Sequence, residues 1–167
     1  MAALQKVTSP RYDRCKKWDC IMKRFLAGWG AVLLAYQLPL SAETLTVQVS
    51  GIKDPGEIHI AIYDSAEAFE GDKGEKGGPA EGIVDGVVEE AQPGSVTYTF
   101  ELTQGRYAIG VFHDANRNNR LDTGLFGIPK EQFGFSNGAS GRFGPPSFAD
   151  ASFELVGEAN QMIDLGQ

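Results

Sequence analysis

The sequence predicts an all-β domain, an antiparallel β-sandwich of about seven strands that carries one long Gly- and Phe-rich loop. Three observations point there. Apolar and polar residues alternate with a period of two through most of the chain after residue 43, which is the pattern of half-buried strands. Long helical periodicity is absent, and Gly, Pro, Asn and Asp punctuate the alternation at short intervals. Immunoglobulin-like and transthyretin-like topologies both fit such a string of short strands.

The chain begins with material that does not belong to that domain. Residues 22–42, MKRFLAGWGAVLLAYQLPLSA, run from Lys23 and Arg24 through an apolar stretch to Pro39 and small residues. That order of charge, short apolar run and small-residue exit predicts a secretory signal peptide. Cleavage is expected after Ala42, although Leu40 is a poor match to the small residue preferred at that place. A retained membrane anchor is the alternative, but the run contains Gly28, Gly30 and Gln37 and is shorter than the roughly 20 residues a spanning helix needs. Residues 1–21 are hydrophilic and basic, hold both cysteines, Cys15 and Cys20, and precede a natural start at Met22. They read as an extension from a start codon placed too early. The cysteine pair has no second pair with which to complete a zinc site.

Residues 43–167 form the single predicted domain. They carry 8 Lys and Arg (15 less the 7 before the cut) against 20 Asp and Glu (22 less 2), a net charge of −12. So acidic a surface excludes nucleic acid as a partner, repels anionic lipid and favours cations. No cysteine follows residue 42, so the domain must be held by its core alone even in an oxidising compartment. Periplasmic or extracellular localisation is expected, with no stable membrane insertion after signal cleavage.

Leu45, Val47 and Val49 alternate up to Gly51 and predict the first strand; Ile58, Ile60 and Ile62 predict the second, after a turn at residues 53–56. The string SAEAFE, residues 65–70, can make one or two helical turns capped by Asp64 or Ser65. Residues 71–82, GDKGEKGGPAEG, read as a mobile loop; glycine recurs every third residue too briefly for collagen. A third strand is predicted over residues 83–90. A fourth covers residues 96–102, with Val96, Tyr98, Phe100 and Leu102 on one face. After the turn at Gln104 and Gly105 comes RYAIGVFHD, where Tyr107, Ile109, Val111 and His113 share one face and Ala108, Gly110 and Phe112 the other. Two apolar faces predict a central strand. Residues 151–156 and 162–165 supply the closing strands.

Between the fifth strand and those closing strands lie residues 113–148, with almost nothing that forms a helix or a central strand. A loop of that length in a compact domain binds something or packs on itself. It opens with DANRNNRLD, placing oxygens at the first, third, fifth and ninth positions through Asp114, Asn116, Asn118 and Asp122, with the carbonyl of Arg120 at the seventh. Alternate oxygen ligands in a tight loop suit Ca²⁺. Asn119 stands where such loops usually have Gly, and Asn is the residue next most tolerant of a left-handed backbone. Leu125 stands where a bidentate Glu is usual, so the expected site is weak. The competing reading is that the Asp and Asn side chains bond their own backbone to shape a turn, with Arg117 and Arg120 neutralising the aspartates.

Two other patterns in the loop have a functional and a structural reading. GFSNG, residues 134–138, matches the G-x-S-x-G of a hydrolase elbow, which would pair Ser136 with His113. That motif works on a strand-to-helix turn, and only glycine and then Pro145 and Pro146 follow here. Phe126, Phe133, Phe135, Phe143 and Phe148 place half of the chain's ten phenylalanines in this loop. Most are expected to form a satellite core under it, against the alternative of an exposed ligand platform. His59 and His113, far apart in sequence, read as ordinary surface or hydrogen-bonded histidines and not as a zinc or copper centre.

The run GRYAIGVFHDANRNNRLDTGLFGIPKEQFGFSNGASGRFGPPSFADASFEL resembles the bacterial domain of unknown function family numbered 2141. The matching positions are Gly105, Tyr107 and Ala108; His113, Asp114, Asn116, Asn118 and Asp122; Gly127, Ile128, Pro129, Glu131, Gly134, Phe135, Ser136 and Asn137; and Phe143, Gly144, Pro146 and Phe148. The resemblance implies a small exported β-sandwich. Combined with the absence of a credible nucleophile and base, it leads to the expectation of a non-catalytic binding module for an envelope or extracellular partner, with Ca²⁺ as its one candidate cofactor. The alternatives are a small secreted serine hydrolase using Ser136 and His113, or a metal-free structural domain.

Overall fold

The computed structural model describes residues 42–78, 80–141 and 144–166. The expected extension and signal peptide therefore lie outside the described residues, except for Ala42, which opens the first strand. In chain order the strands and α-helices are β1 (Ala42–Ile52), β2 (Gly56–Tyr63), α1 (Ala66–Gly71), β3 (Ile83–Ala91), β4 (Gly94–Thr103), β5 (Gly105–Asp114), β6 (Phe133–Phe135), α2 (Phe148–Ala151), β7 (Phe153–Leu155) and β8 (Glu158–Asp164), with short 3-10 turns at Leu125–Gly127 and Ser136–Gly138 in the long loop. One sheet has the order β4-β1-β8 and the other β3-β2-β5-β6, with β7 also paired to β5. The protein is thus an all-β sandwich, and most strands fall where alternation places them.

The core lies between the sheets. Leu45, Val47 and Val49 of β1 point toward Ile58, Ile60 and Ile62 of β2 and Ile109 and Val111 of β5, and Ile163 closes one side. Burying each such side chain is worth about 1.5–3 kcal/mol. A second cluster sits on the outer face of the larger sheet, where Tyr63, Phe69, Ala108 and Ala151 pack with Phe135 and Phe148. The helix α1 delivers Phe69 to it and is capped by the Ser65 hydroxyl, which accepts the Ala68 N–H.

Four features differ from the sequence expectation. The described residues hold eight strands where about seven were expected, the unexpected one being Phe133–Phe135, which pairs with β5 from inside the long loop. Three residues with glycine at their centre carry no periodicity of their own. The sheets are also not wholly antiparallel: β8 runs parallel to β1, with Leu45 opposite Ala159 and Val49 opposite Ile163. The Thr44 N–H bonds the Gly157 carbonyl at 2.9 Å, which pins the turn before β8 at the start of β1, so β8 leaves in β1's own direction. The stretch expected as a closing strand from residue 151 first completes α2, whose cap Ser147 accepts the Asp150 N–H. Finally, the connection expected to be mobile is docked. Leu121 N–H bonds Gly74 O at 2.8 Å, Gly78 N–H bonds Asn119 O at 3.2 Å, and Asp72 accepts the Tyr63 hydroxyl.

β5 is central, as its two apolar faces require. On one edge it pairs with β2 from Tyr63 opposite Ala108 to Glu57 opposite Asp114. The other edge is divided: β7 takes residues 105–107 and β6 takes residues 110–112. Both short strands come from the segment after Asp114, so the long loop is part of the sheet and not an appendage.

Candidate functional site

Residues 114–122 fold into a turn organised by side-chain oxygens. Asp114 is fully buried. Its Oδ1 accepts the Asn118 N–H at 3.2 Å and its Oδ2 accepts the Asn119 N–H at 2.7 Å. Asn116 Oδ1 accepts the Asn118 N–H and Asn118 Oδ1 accepts the Arg120 N–H, the self-bonding expected of Asx turns. The two amides then donate to Asp122, Asn116 Nδ2 at 2.7 Å and Asn118 Nδ2 at 3.0 Å. Arg117 and Asn119 have φ of +58° and +61°, so the left-handed backbone anticipated at Asn119 is there, and a second one accompanies it.

The structure therefore brings Asp114, Asn116, Asn118, Arg120 and Asp122 together. It joins Asp122 to the two asparagines through N–H donors, and the asparagine oxygens are engaged by backbone N–H groups. Arg120 lies against Asp122, with Nε 3.5 Å from Oδ1. Arg117 instead makes a two-point ion pair with Glu90 of β3, both bonds at 2.8 Å. Hydrogen bonds from Asn118 and then Asn116 hold the Asp122 carboxyl below its ordinary value of 3.8, and the Arg117 hydrogen bonds lower Glu90 in the same way. Glu131 closes the loop from the far side, its two oxygens accepting the Ala115 and Asp122 N–H groups.

Ser136 has a structural position. Its side chain is buried; its Oγ accepts the Ile109 N–H at 2.9 Å and donates to Ala151 O at 2.6 Å. Ile109 lies in the gap along β5 between the partner residues of β7 and those of β6, so the hydroxyl completes the ladder where neither strand reaches. Asn137, with φ of +58°, adds donation from Nδ2 to the carbonyls of Ala151 and Ser152. His113 points inward beside Ile58, buried, and its Nε2 has no hydrogen-bond partner among the described residues. The Ser136 hydroxyl thus donates to a backbone carbonyl and not to His113.

The aromatics divide. Phe135 and Phe148 pack edge-on against Phe69, as a satellite core requires, while Phe143 lies outside the described residues. Phe126 is 96 % exposed, with Leu125 at 84 % and Ile128 at 64 %. They sit on a short turn in which Gly124 N–H bonds Ile128 O at 2.7 Å and Thr123 bridges Pro129. Phe126 and Gly127 are consecutive left-handed residues, φ +67° and +71°.

The arrangement that sequence reasoning missed lies on the outer face of β2 and β5. Glu57 and His59 are two apart in β2 and so share a face, and the register sets Glu57 opposite Asp114 and His59 opposite Phe112. His59 stacks on Phe112 with ring centroids 4.3 Å apart. Its Nε2 lies 3.6 Å from Glu57 Oε2 and 3.6 Å from Asp114 Oδ2, beyond hydrogen-bonding distance. Burial lowers the His59 pKa, against the opposing pull of Asp114 and Glu57. The signal available in the sequence was the Glu-x-His spacing on one strand face; the partner Asp114 depends on register.

Fold and site together define a β-sandwich whose long loop is tied back into its larger sheet and onto a buried aspartate at a strand end. The chain belongs to the family described as uncharacterized protein conserved in bacteria (DUF2141), whose family model matches residues 47–164. That span runs from β1 into β8 and contains the whole loop. No curated protein and no solved structure matches the chain.

Two outcomes follow from this geometry. Ser136→Ala leaves the Ile109 N–H buried and unpaired, which costs about 1–3 kcal/mol; urea denaturation should show that loss, with little change for Ser140→Ala on the exposed side of the same loop. Stability should also fall on the acid side. A carboxyl whose folded pKa is depressed stabilises the fold above its unfolded value and loses that contribution as pH falls through the folded one. For Asp122 the loss sets in below its ordinary value of 3.8. Urea melts between neutrality and the acid limit should show Asp122→Asn flattening the decline below that value, and an unaltered decline would remove Asp122 from the explanation.

Proposed function

We propose that this chain is an exported, non-catalytic β-sandwich binding module that docks on an envelope or extracellular protein through the tip of its long loop. The observation that carries the reading is the exposure of Leu125, Phe126 and Ile128 on a hydrogen-bonded turn. Exposed apolar side chains are ordinary when scattered. Here three stand within four residues, Phe126 holds a left-handed backbone that a bulky residue rarely adopts, and residues 123–129 carry no charge on an otherwise acidic domain. A turn whose backbone is already closed by a hydrogen bond lowers the ordering cost of binding. The acidic surface favours a protein pocket over an anionic bilayer as its acceptor. Among the described residues no helix is long and apolar enough to cross a membrane.

For the loop beneath the tip, we infer that side-chain and backbone hydrogen bonds supply the closure. Calcium would have to displace the Asn116 and Asn118 amide donors from Asp122, in company with Arg120.

A photo-crosslinking residue placed at position 126 in the native host should give one discrete protein adduct. Leu125→Ser with Ile128→Ser should abolish it, and the same probe at Thr97 in β4 should not form it. N-terminal sequencing of the adducted chain should start at or near Glu43. Lipid adducts, or an equal yield from position 97, would contradict tip docking, and a chain beginning at Met1 would contradict export.

Adding millimolar Ca²⁺ to metal-free protein should leave Tm unchanged. A rise that Asp122→Ala removes would make the loop a calcium site.

A further inference from the structure

We propose that Glu57, His59 and Asp114 form a binding site for a first-row divalent cation of the zinc class on the outer face of β2 and β5. This site is separate from the loop-tip docking surface and does not depend on it. Ligand atoms of the three residues lie within 4.8 Å of one another. The three side chains come from two hydrogen-bonded neighbouring strands, so sheet register and not loop conformation fixes their spacing.

The orphaned imidazole nitrogen is the observation that points to a ligand. His59 Nε2 is sealed from solvent and has no hydrogen-bond partner among the described residues, yet it faces a carboxylate oxygen on each of two residues at 3.6 Å. Buried polar atoms are rarely left so. The separation is too long for a hydrogen bond but suits two ligands of one ion. Zinc takes imidazole nitrogen and carboxylate oxygen at about 2.0–2.2 Å in tetrahedral geometry, for which neighbouring ligand atoms stand roughly 3.3–3.6 Å apart.

Packing against Phe112 holds the ring plane, with 15° between the two rings. Asp114 is held as firmly, because its carboxylate already accepts two backbone N–H groups. A carboxylate has about four lone-pair sites, so Oδ2 keeps capacity for an ion after accepting the Asn119 N–H. One nitrogen and two oxygens match the zinc class better than calcium, which takes six to eight oxygens. Glu131 is the next carboxylate around the cluster, and both of its oxygens are engaged by backbone N–H groups. Three protein ligands leave a coordination position for water or for a donor from a partner.

The test is calorimetric titration of the full chain with ZnCl₂, in a Cys15→Ser, Cys20→Ser background that removes competing thiols. One equivalent should bind, and Tm should rise with Zn²⁺ but not with Mg²⁺ or Ca²⁺. His59→Phe keeps an aromatic ring against Phe112 and removes the donor nitrogen. It should stay folded by circular dichroism and lose both the binding and the Tm increment, while Glu57→Gln should weaken binding by more than about tenfold. Failure of the parent chain to bind Zn²⁺, undiminished binding in folded His59→Phe, or an equal Tm rise with Ca²⁺ would each overturn the assignment.

Discussion

A carboxylate taken out of water must be hydrogen-bonded or neutralised, and Asp114 is fully buried at the end of the central strand β5. Much of the loop's path follows from that constraint. To bring two N–H groups onto one carboxylate, the chain turns back within five residues and places Arg117 and Asn119 in left-handed conformations. That turn aims the Asn116 and Asn118 amides at Asp122, and Glu131 then ties both ends of the turn together. Gln132 continues outward, with its Nε2 donating to the carbonyls of Gly51 and Leu165 and its Oε1 accepting the Lys53 N–H. The loop is consequently stitched to β1, to β5 and to the residue just after β8 before it reaches Phe133.

The same logic explains why this loop is rich in glycine and small polar residues. Gly134 passes so close to the core that a Cβ there would stand 2.6 Å from Ile163 Cγ2, which no side chain tolerates without displacement. Ser136 and Asn137 supply hydrogen bonds that short strands cannot. Within the G-x-S-x-G run, Ser136 and Asn137 tie β5 to the segment around Ala151 and Ser152. Apart from them stand the charge-poor tip and the face where Asp114 meets Glu57 and His59.

Sequence alternation was enough to place the larger strands, since Leu45, Val47 and Val49 or Ile58, Ile60 and Ile62 have only one face to bury. It could also place the Asp and Asn turn, because those side chains act on their own neighbours. β6 escaped because FGF has no period to read. The parallel union of β1 and β8 escaped because it rests on a contact between Thr44 and Gly157 across the whole domain. His59 reads from sequence as an ordinary surface or hydrogen-bonded histidine for a related reason: nothing local to HIAIY indicates that Asp114 lies across the strand, a fact set by the register of β2 on β5. Phe126 differs from Phe135 and Phe148 only in where the turn points it, which composition does not encode.

The most direct test of this account is residue-resolved amide hydrogen exchange across residues 114–122. If Asp114 organises the loop, the Asn119 amide, which donates to it at 2.7 Å, should be protected to a degree approaching that of Ile109 within β5, although Asn119 lies in a surface turn. Exchange of Asn119 at the rate of an unstructured peptide, with Ile109 still protected, would contradict the claim that the buried aspartate holds the loop in place.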